Sequence, residues 1–147
     1  MNTENQGPKP APRWRSLFSF CSFHFLDDGF ADSIYLLLPF IAAELNLSFS
    51  EVGLLKGVFS GAMGLCQVPL SLLGEKIGEI RVLTAGAIGL ASSFGLLSMA
   101  FTFPTIFFAL VFGKGTAAGQ HGLSSSVLSR VFEDSGRRAA MGTFNFA

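Results

Sequence analysis

An all-α membrane protein is the fold class this 147-residue sequence predicts, and three observations carry the prediction. Half of the residues are apolar and only 14% are charged, with a mean hydropathy of +0.51, outside the usual balance of a soluble domain. Four apolar runs, Leu17–Leu45, Val52–Leu73, Val82–Phe101 and Pro104–Leu128, each approach or exceed the roughly 20 residues a helix needs to cross hydrocarbon. Basic residues alternate between the connections. Lys9, Arg13 and Arg15 precede the first run, Lys76 and Arg81 join the second to the third, and Arg130, Arg137 and Arg138 follow the fourth, whereas Glu44–Glu51 and Thr102–Thr105 carry none. Positive loops stay inside, so the N-terminus is cytoplasmic and the chain runs in-out-in-out-in.

Taken in order, residues 1–14 read as a disordered cytoplasmic leader, polar and Pro-containing with almost nothing to bury. Residues 15–147 read as a partial transmembrane bundle with helices at about 15–45, 51–74, 81–101 and 104–130, and a fifth beginning at about 139. The first run is too long and too acidic for a signal peptide, so it is retained. The last residues, "MGTFNFA", start an element too short to cross, and Ala147 reads as a truncation point. Cys21 and Cys66 both fall inside apolar runs and read as packing residues, not as a disulfide or a zinc site.

Glycine spacing points to close helix contacts. Gly53, Gly57 and Gly61 recur at every fourth position of the second helix, and Gly115 and Gly119 repeat the device in the fourth. Pro69, beside Gln67, is a position for a kink. Between helices two and three, Gly78 suits a helix end, Lys76 and Arg81 can meet the C-terminal dipole of helix two, and Glu75 or Glu79 can pair with them.

The chemistry lies in "FHFLDDGFADSIYLLLPF", Phe23–Phe40, where carboxylates and a histidine interrupt an apolar helix. With 3.6 residues to a helical turn, His24, Asp28, Asp32 and Tyr35 share one face, while Asp27 lies to the other side of His24. At about 1.5 Å of rise per residue Asp28 sits roughly 16 Å in, level with Lys114 of the fourth helix, and Asp32 is level with Lys56. His24 and His121 lie deeper toward the cytoplasm. The expected seam is therefore Asp32 with Lys56, Asp28 with Lys114, and the two histidines below, in a substrate or proton pathway of His24, Asp28, Asp32, Lys114 and His121. Asp27, Tyr35, Lys56 and Gln120 are secondary candidates; Asp27 either faces the same lumen or caps a break at Gly29, and Lys56 can snorkel outward. The plain alternative is a set of static ion pairs that fix helix register.

Several motifs together resemble the N-terminal part of a major facilitator superfamily permease. The loop "LLGEKIGEIR" is similar to the family's G-x-L-x-D-R/K-x-G-R/K-R/K at Leu73, Glu75, Lys76 and Gly78, and departs at Glu79 and Ile80 before Arg81 restores a positive charge. "ALVFGKGTA" is similar to the antiporter motif R-x-x-x-G-x-G-A-A at Gly113, Gly115 and Ala117, with Ala109 in place of arginine. "HFLDD" and the run from Gly119 to Ala147 are similar to permeases of the fosmidomycin-resistance type, with Gly122 after His121 where those have proline. The resemblance spans Arg15–Ala147. It implies a six-helix half built from inverted three-helix repeats, alternating access with the Glu75, Lys76, Gly78 and Arg81 loop as a gating brace, and a proton-coupled carrier of a small solute in a bacterial inner membrane, completed by a missing remainder. A complete four-helix exporter acting as a dimer, and a non-transporting assembly subunit, are the competing readings. No enzyme motif, cofactor-binding pattern, metal-ligand spacing or nucleic-acid-binding charge pattern stands out, and the implied partners are lipid, a small solute and protons.

Overall fold

The computed structural model describes residues 13–132 and 136–147, so the leader through residue 12 lies outside the described residues. Among the described residues six helices follow in order: α1 Arg13–Glu44, α2 Phe49–Ile77, α3 Glu79–Ser98, α4 Phe103–Ala117, α5 Gln120–Val131 and α6 Arg137–Asn145. There is no strand among the described residues. Arg13 and Trp14, read as leader, open α1. Gly29 makes no break, since α1 runs unbroken through it.

Each end has a local cause. Asn46 takes a left-handed φ of 52°, and the Leu47 N–H donates to the Ala42 carbonyl at 2.9 Å, the six-to-one bond that closes a helix C-terminus. Ser48 then opens α2 through a capping box: the Ser48 N–H donates to Glu51 Oε2 at 2.8 Å, and the Glu51 N–H donates to Ser48 Oγ at 3.3 Å. Gly78 alone separates α2 from α3 and sits at φ 105°, a conformation that favours glycine. α2 continues through Pro69 as one helix.

The fourth predicted helix is two pieces. α4 ends at Ala117 and α5 begins at Gln120, and between them the Ala118 N–H reaches the Gly115 carbonyl at 3.4 Å, a tightened i to i−3 turn. At about 1.5 Å per residue neither piece alone covers a ~30 Å hydrocarbon core. Among the described residues two helices, Phe49–Ile77 and Glu79–Ser98, are long and apolar enough to cross by themselves. The other two expected spans do not pass as single apolar helices: α1 has 32 residues but carries Asp27, Asp28 and Asp32 in its middle, and the fourth is divided between α4 and α5.

Helix contacts also differ from the glycine reading. Gly53, Gly57 and Gly61 are exposed, and a Cβ at any of them would meet nothing within 4 Å. The buried face of α2 is instead Leu55, Phe59 and Ala62, because its large apolar residues, not its glycines, point at the bundle. Close approach occurs where α3 meets α4. A Cβ on Gly86 would lie 2.8 Å from the Thr116 carbonyl oxygen, and one on Gly113 would run into Ser93 Oγ. Gly115 and Gly119 face α2, with Cys66 Sγ 3.5 Å and Leu70 Cβ 3.2 Å from their would-be Cβ positions.

Two apolar clusters result. Ala31, Ile34, Leu38, Leu55, Phe59, Ile106 and Leu110 tie α1, α2 and α4 together, and Val82, Leu83 and Leu123, backed by Phe20, Phe23 and Leu70, join the other ends of these helices to α3 and α5. Between them along α1 lie His24, Asp27 and Asp28. That polar layer is where the chemistry is concentrated.

Candidate functional site

Asp28 sits between two imidazoles. His24 Nδ1, one helical turn before it on α1, lies 3.6 Å from Oδ2, and His121 Nε2 on α5 lies 3.5 Å from Oδ1. These separations are ion-pair distances, longer than a good hydrogen bond. The two rings meet edge to face with centroids 4.9 Å apart, and Phe144 of α6 stacks on His24 at 4.6 Å. Three helices thus fix the geometry: α1 supplies His24 and Asp28 on one face, α5 supplies His121, and α6 closes over the first ring. His24 is buried, while the side chains of Asp28 and His121 are 41% and 35% exposed, so the cluster is open on one side.

Behind it the layer is closed. Gln120 is 2% exposed, and its Nε2 lies 3.3 Å from the same His24 Nδ1 that faces Asp28. One proton decides between these partners: an Nδ1–H can serve the carboxylate, whereas a bare Nδ1 can accept from the amide. Gln120 Oε1 and Ser124 Oγ are buried with no hydrogen-bond partner. Asp27 is also buried, 5% exposed, and feels the charges of Lys114, Asp28 and His24.

The predicted ion pairs do not form. Lys114 is buried with its Nζ 5.6 Å above the Phe59 ring, and no ion pair joins it to Asp28. Lys56 lies 5.5 Å above the Tyr35 ring instead of pairing with Asp32, which is exposed. Rise per residue sets a side chain's level but not its direction around the helix, so shared height alone did not make partners. Tyr35 has its hydroxyl 3.4 Å from Ser60 Oγ, and with Lys56 it lines a crevice of about 480 Å³ between α1 and α2, otherwise walled by residues such as Leu38, Pro39 and Val52.

At the junction of α2 and α3, Arg81 Nη1 donates to the Ile77 carbonyl at 3.1 Å, meeting the end of α2 as its charge requires. Glu75 and Lys76 are exposed. Glu79 pairs neither with Lys76 nor with Arg81: it pairs with Arg130 and accepts from Ser126 Oγ at 3.1 Å, joining the start of α3 to α5. In the sequence Glu79 stands out only as a departure from the family's loop motif and as a local partner for Lys76 or Arg81. The available signal was Ser126 and Arg130, four residues apart on one helix face and able to hold one carboxylate.

A family model described as Major Facilitator Superfamily matches residues 18–147. The chain belongs to the Major Facilitator Superfamily. It is therefore an integral membrane protein of a transporter family, in which a small-molecule solute and a lipid environment are the expected company. No curated protein and no solved structure matches it. The residues matched within this superfamily include the whole polar layer and the Glu79–Arg130 contact, but not the start of α1.

Proposed function

We propose that this chain is the first part of a proton-coupled secondary transporter that moves a small solute by alternating access, with Asp28 as its proton-carrying group. In this reading His24 and His121 relay protons to Asp28, Lys114 supplies a buried positive charge to the same layer, and Asp32, Tyr35 and Lys56 line the outer part of the pathway. Asp27 and Gln120 support the cluster from behind, and the junction of Glu75, Lys76, Gly78 and Arg81 braces one end state. The bundle crosses the membrane with α1, α2, α3 and the α4–α5 pair, its N-terminus facing the cytoplasm of a bacterial cell. The motifs similar to fosmidomycin-resistance permeases favour that type of carrier.

One observation carries the reading: a half-exposed carboxylate stands between two imidazoles in a polar layer along an otherwise apolar bundle. An ionised group at mid-bilayer costs at least ~2.5 kcal/mol on insertion scales, so such a group faces water, a partner or a substrate. Of the side chains, histidine is the one whose unperturbed pKa lies closest to neutrality. The test is transport by the complete carrier with Asp28→Asn. Proton-driven movement of solute is expected to stop while the protein remains in the membrane and still exchanges solute for solute. Undiminished proton-driven movement would end the proposal.

A further inference from the structure

The geometry of the same layer points to a second capacity: His24, Asp28 and His121 form a site for one divalent transition-metal ion of the Zn²⁺ and Co²⁺ class. This goes beyond the transport reading and does not depend on it. One ligand atom from each of the three residues lies within 4.8 Å of the other two. A tetrahedral ion with bonds of about 2.0–2.1 Å holds its ligand atoms roughly 3.3–3.4 Å apart. His24 Nδ1 lies 3.6 Å from Asp28 Oδ2 and His121 Nε2 lies 3.5 Å from Oδ1, so each imidazole is within a few tenths of that spacing from its own oxygen of the carboxylate. With one of these oxygens as ligand, the remaining separations must contract by at most about 1.5 Å from the 4.8 Å limit, within reach of side-chain rotations.

The donor set selects the class of ion. Two imidazoles and one carboxylate suit zinc, cobalt and nickel, whereas calcium and magnesium call for oxygen ligands throughout. Phe144 stacked on His24 holds one ring in place. Gln120 provides an independent sign. Its amide lies against His24 Nδ1, it is 2% exposed, and its Oε1 is buried without a partner. A half-turn of that amide brings the unpartnered oxygen to the imidazole nitrogen, where it can act as a fourth donor to a bound ion and gain the partner it lacks. The open side, through Asp28 and His121, provides entry.

Charge decides whether a cation is tolerated. Lys114 is within Coulombic reach of His121 and opposes an ion, while Asp27 within reach of Lys114 offsets it. The carboxylates of Asp27 and Asp28 thus outnumber the single ammonium of Lys114 around the two imidazoles.

The test uses the tag-free chain in detergent, stripped with a chelator, titrated with Co²⁺ and followed by its visible ligand-field bands. One Co²⁺ per chain is expected, with a dissociation constant of about 10 μM or tighter, displaced by Zn²⁺. Asp28→Asn and His121→Ala should each weaken binding at least ~10-fold, since loss even of outer-shell partners commonly costs that much. Lys114→Met should tighten it, a gain that a misfolded variant does not produce. Absence of the bands up to about 1 mM Co²⁺, wild-type affinity in both weakened variants, or no gain in Lys114→Met would overturn the site. None of these outcomes bears on proton-driven transport, which Asp28→Asn tests separately in the complete carrier.

Discussion

Gly86→Ala tests the seam that holds α3 against α4. The added Cβ would lie 2.8 Å from the Thr116 carbonyl oxygen and 3.4 Å from the Ala117 Cα, both backbone atoms that no side-chain rotation can move. The helices must therefore separate by several tenths of an ångström or more, loosening neighbouring contacts such as Ser93 against Gly113. Overpacking of this kind costs about 1–3 kcal/mol, roughly a 5- to 150-fold loss in the folded-to-unfolded ratio. Gly57→Ala is the internal control. It meets nothing within 4 Å on α2, and alanine favours the helix by up to about 1 kcal/mol over glycine. Denaturant unfolding of the purified chain in detergent, read by far-ultraviolet circular dichroism, should show a lower midpoint for Gly86→Ala and an equal or higher one for Gly57→Ala. Equal losses in both, or a larger loss in Gly57→Ala, would refute the placement of the packed glycines.

Three further outcomes follow from the connections. Gly78→Ala forces a side chain into φ 105° and should cost about 1–3 kcal/mol, seen as a lower unfolding midpoint. Arg130→Ala leaves Glu79, with a side chain only 14% exposed, without its cation; because Arg130 itself is 57% exposed the loss should stay near about 1 kcal/mol or below, and faster amide exchange at the start of α3 and the end of α5 is the readout. Ser48, first through its backbone N–H and then its hydroxyl, holds Glu51 below its ordinary value. A carboxylate lowered in the folded state contributes stability above the unfolded pKa and loses it as pH falls through the folded value. The first turn of α2 should therefore exchange amide hydrogens faster at about pH 3 than at about pH 6, relative to the middle of the same helix, after correction for intrinsic rates; an unchanged ratio would contradict the capping box.

Periodicity made much of α1 readable in advance. His24 and Asp28 fall one turn apart on one face, and rise per residue brings His24 and His121 to neighbouring levels, where their rings touch edge to face. The same arithmetic failed for Lys114 and Lys56, whose ammonium groups rest over Phe59 and Tyr35. A buried cation can be satisfied by an aromatic face, and spacing along one helix does not say which way a neighbouring helix is turned. Glycine spacing likewise names no partner helix. Gly53, Gly57 and Gly61 form a regular row, but the bulk of Leu55 and Phe59 decides which side of α2 is buried, whereas the working contacts at Gly86, Gly89 and Gly113 depend on a partner helix that no single-helix pattern contains. The tightened turn at Ala118 and Gly119, which splits the predicted fourth helix, has no proline to announce it.

Adjacent carboxylates on α1 have opposite surroundings: Asp28 is open on one side between two imidazoles, while Asp27 is buried. Single cysteines at each position, Asp28→Cys and Asp27→Cys, in a background with Cys21→Ser and Cys66→Ala, test it through reaction with a membrane-impermeant thiol reagent in nanodiscs. The exposures of 41% for the Asp28 side chain and 5% for Asp27 predict fast labelling at 28 and protection at 27. Equal rates, or faster labelling at 27, would contradict the account.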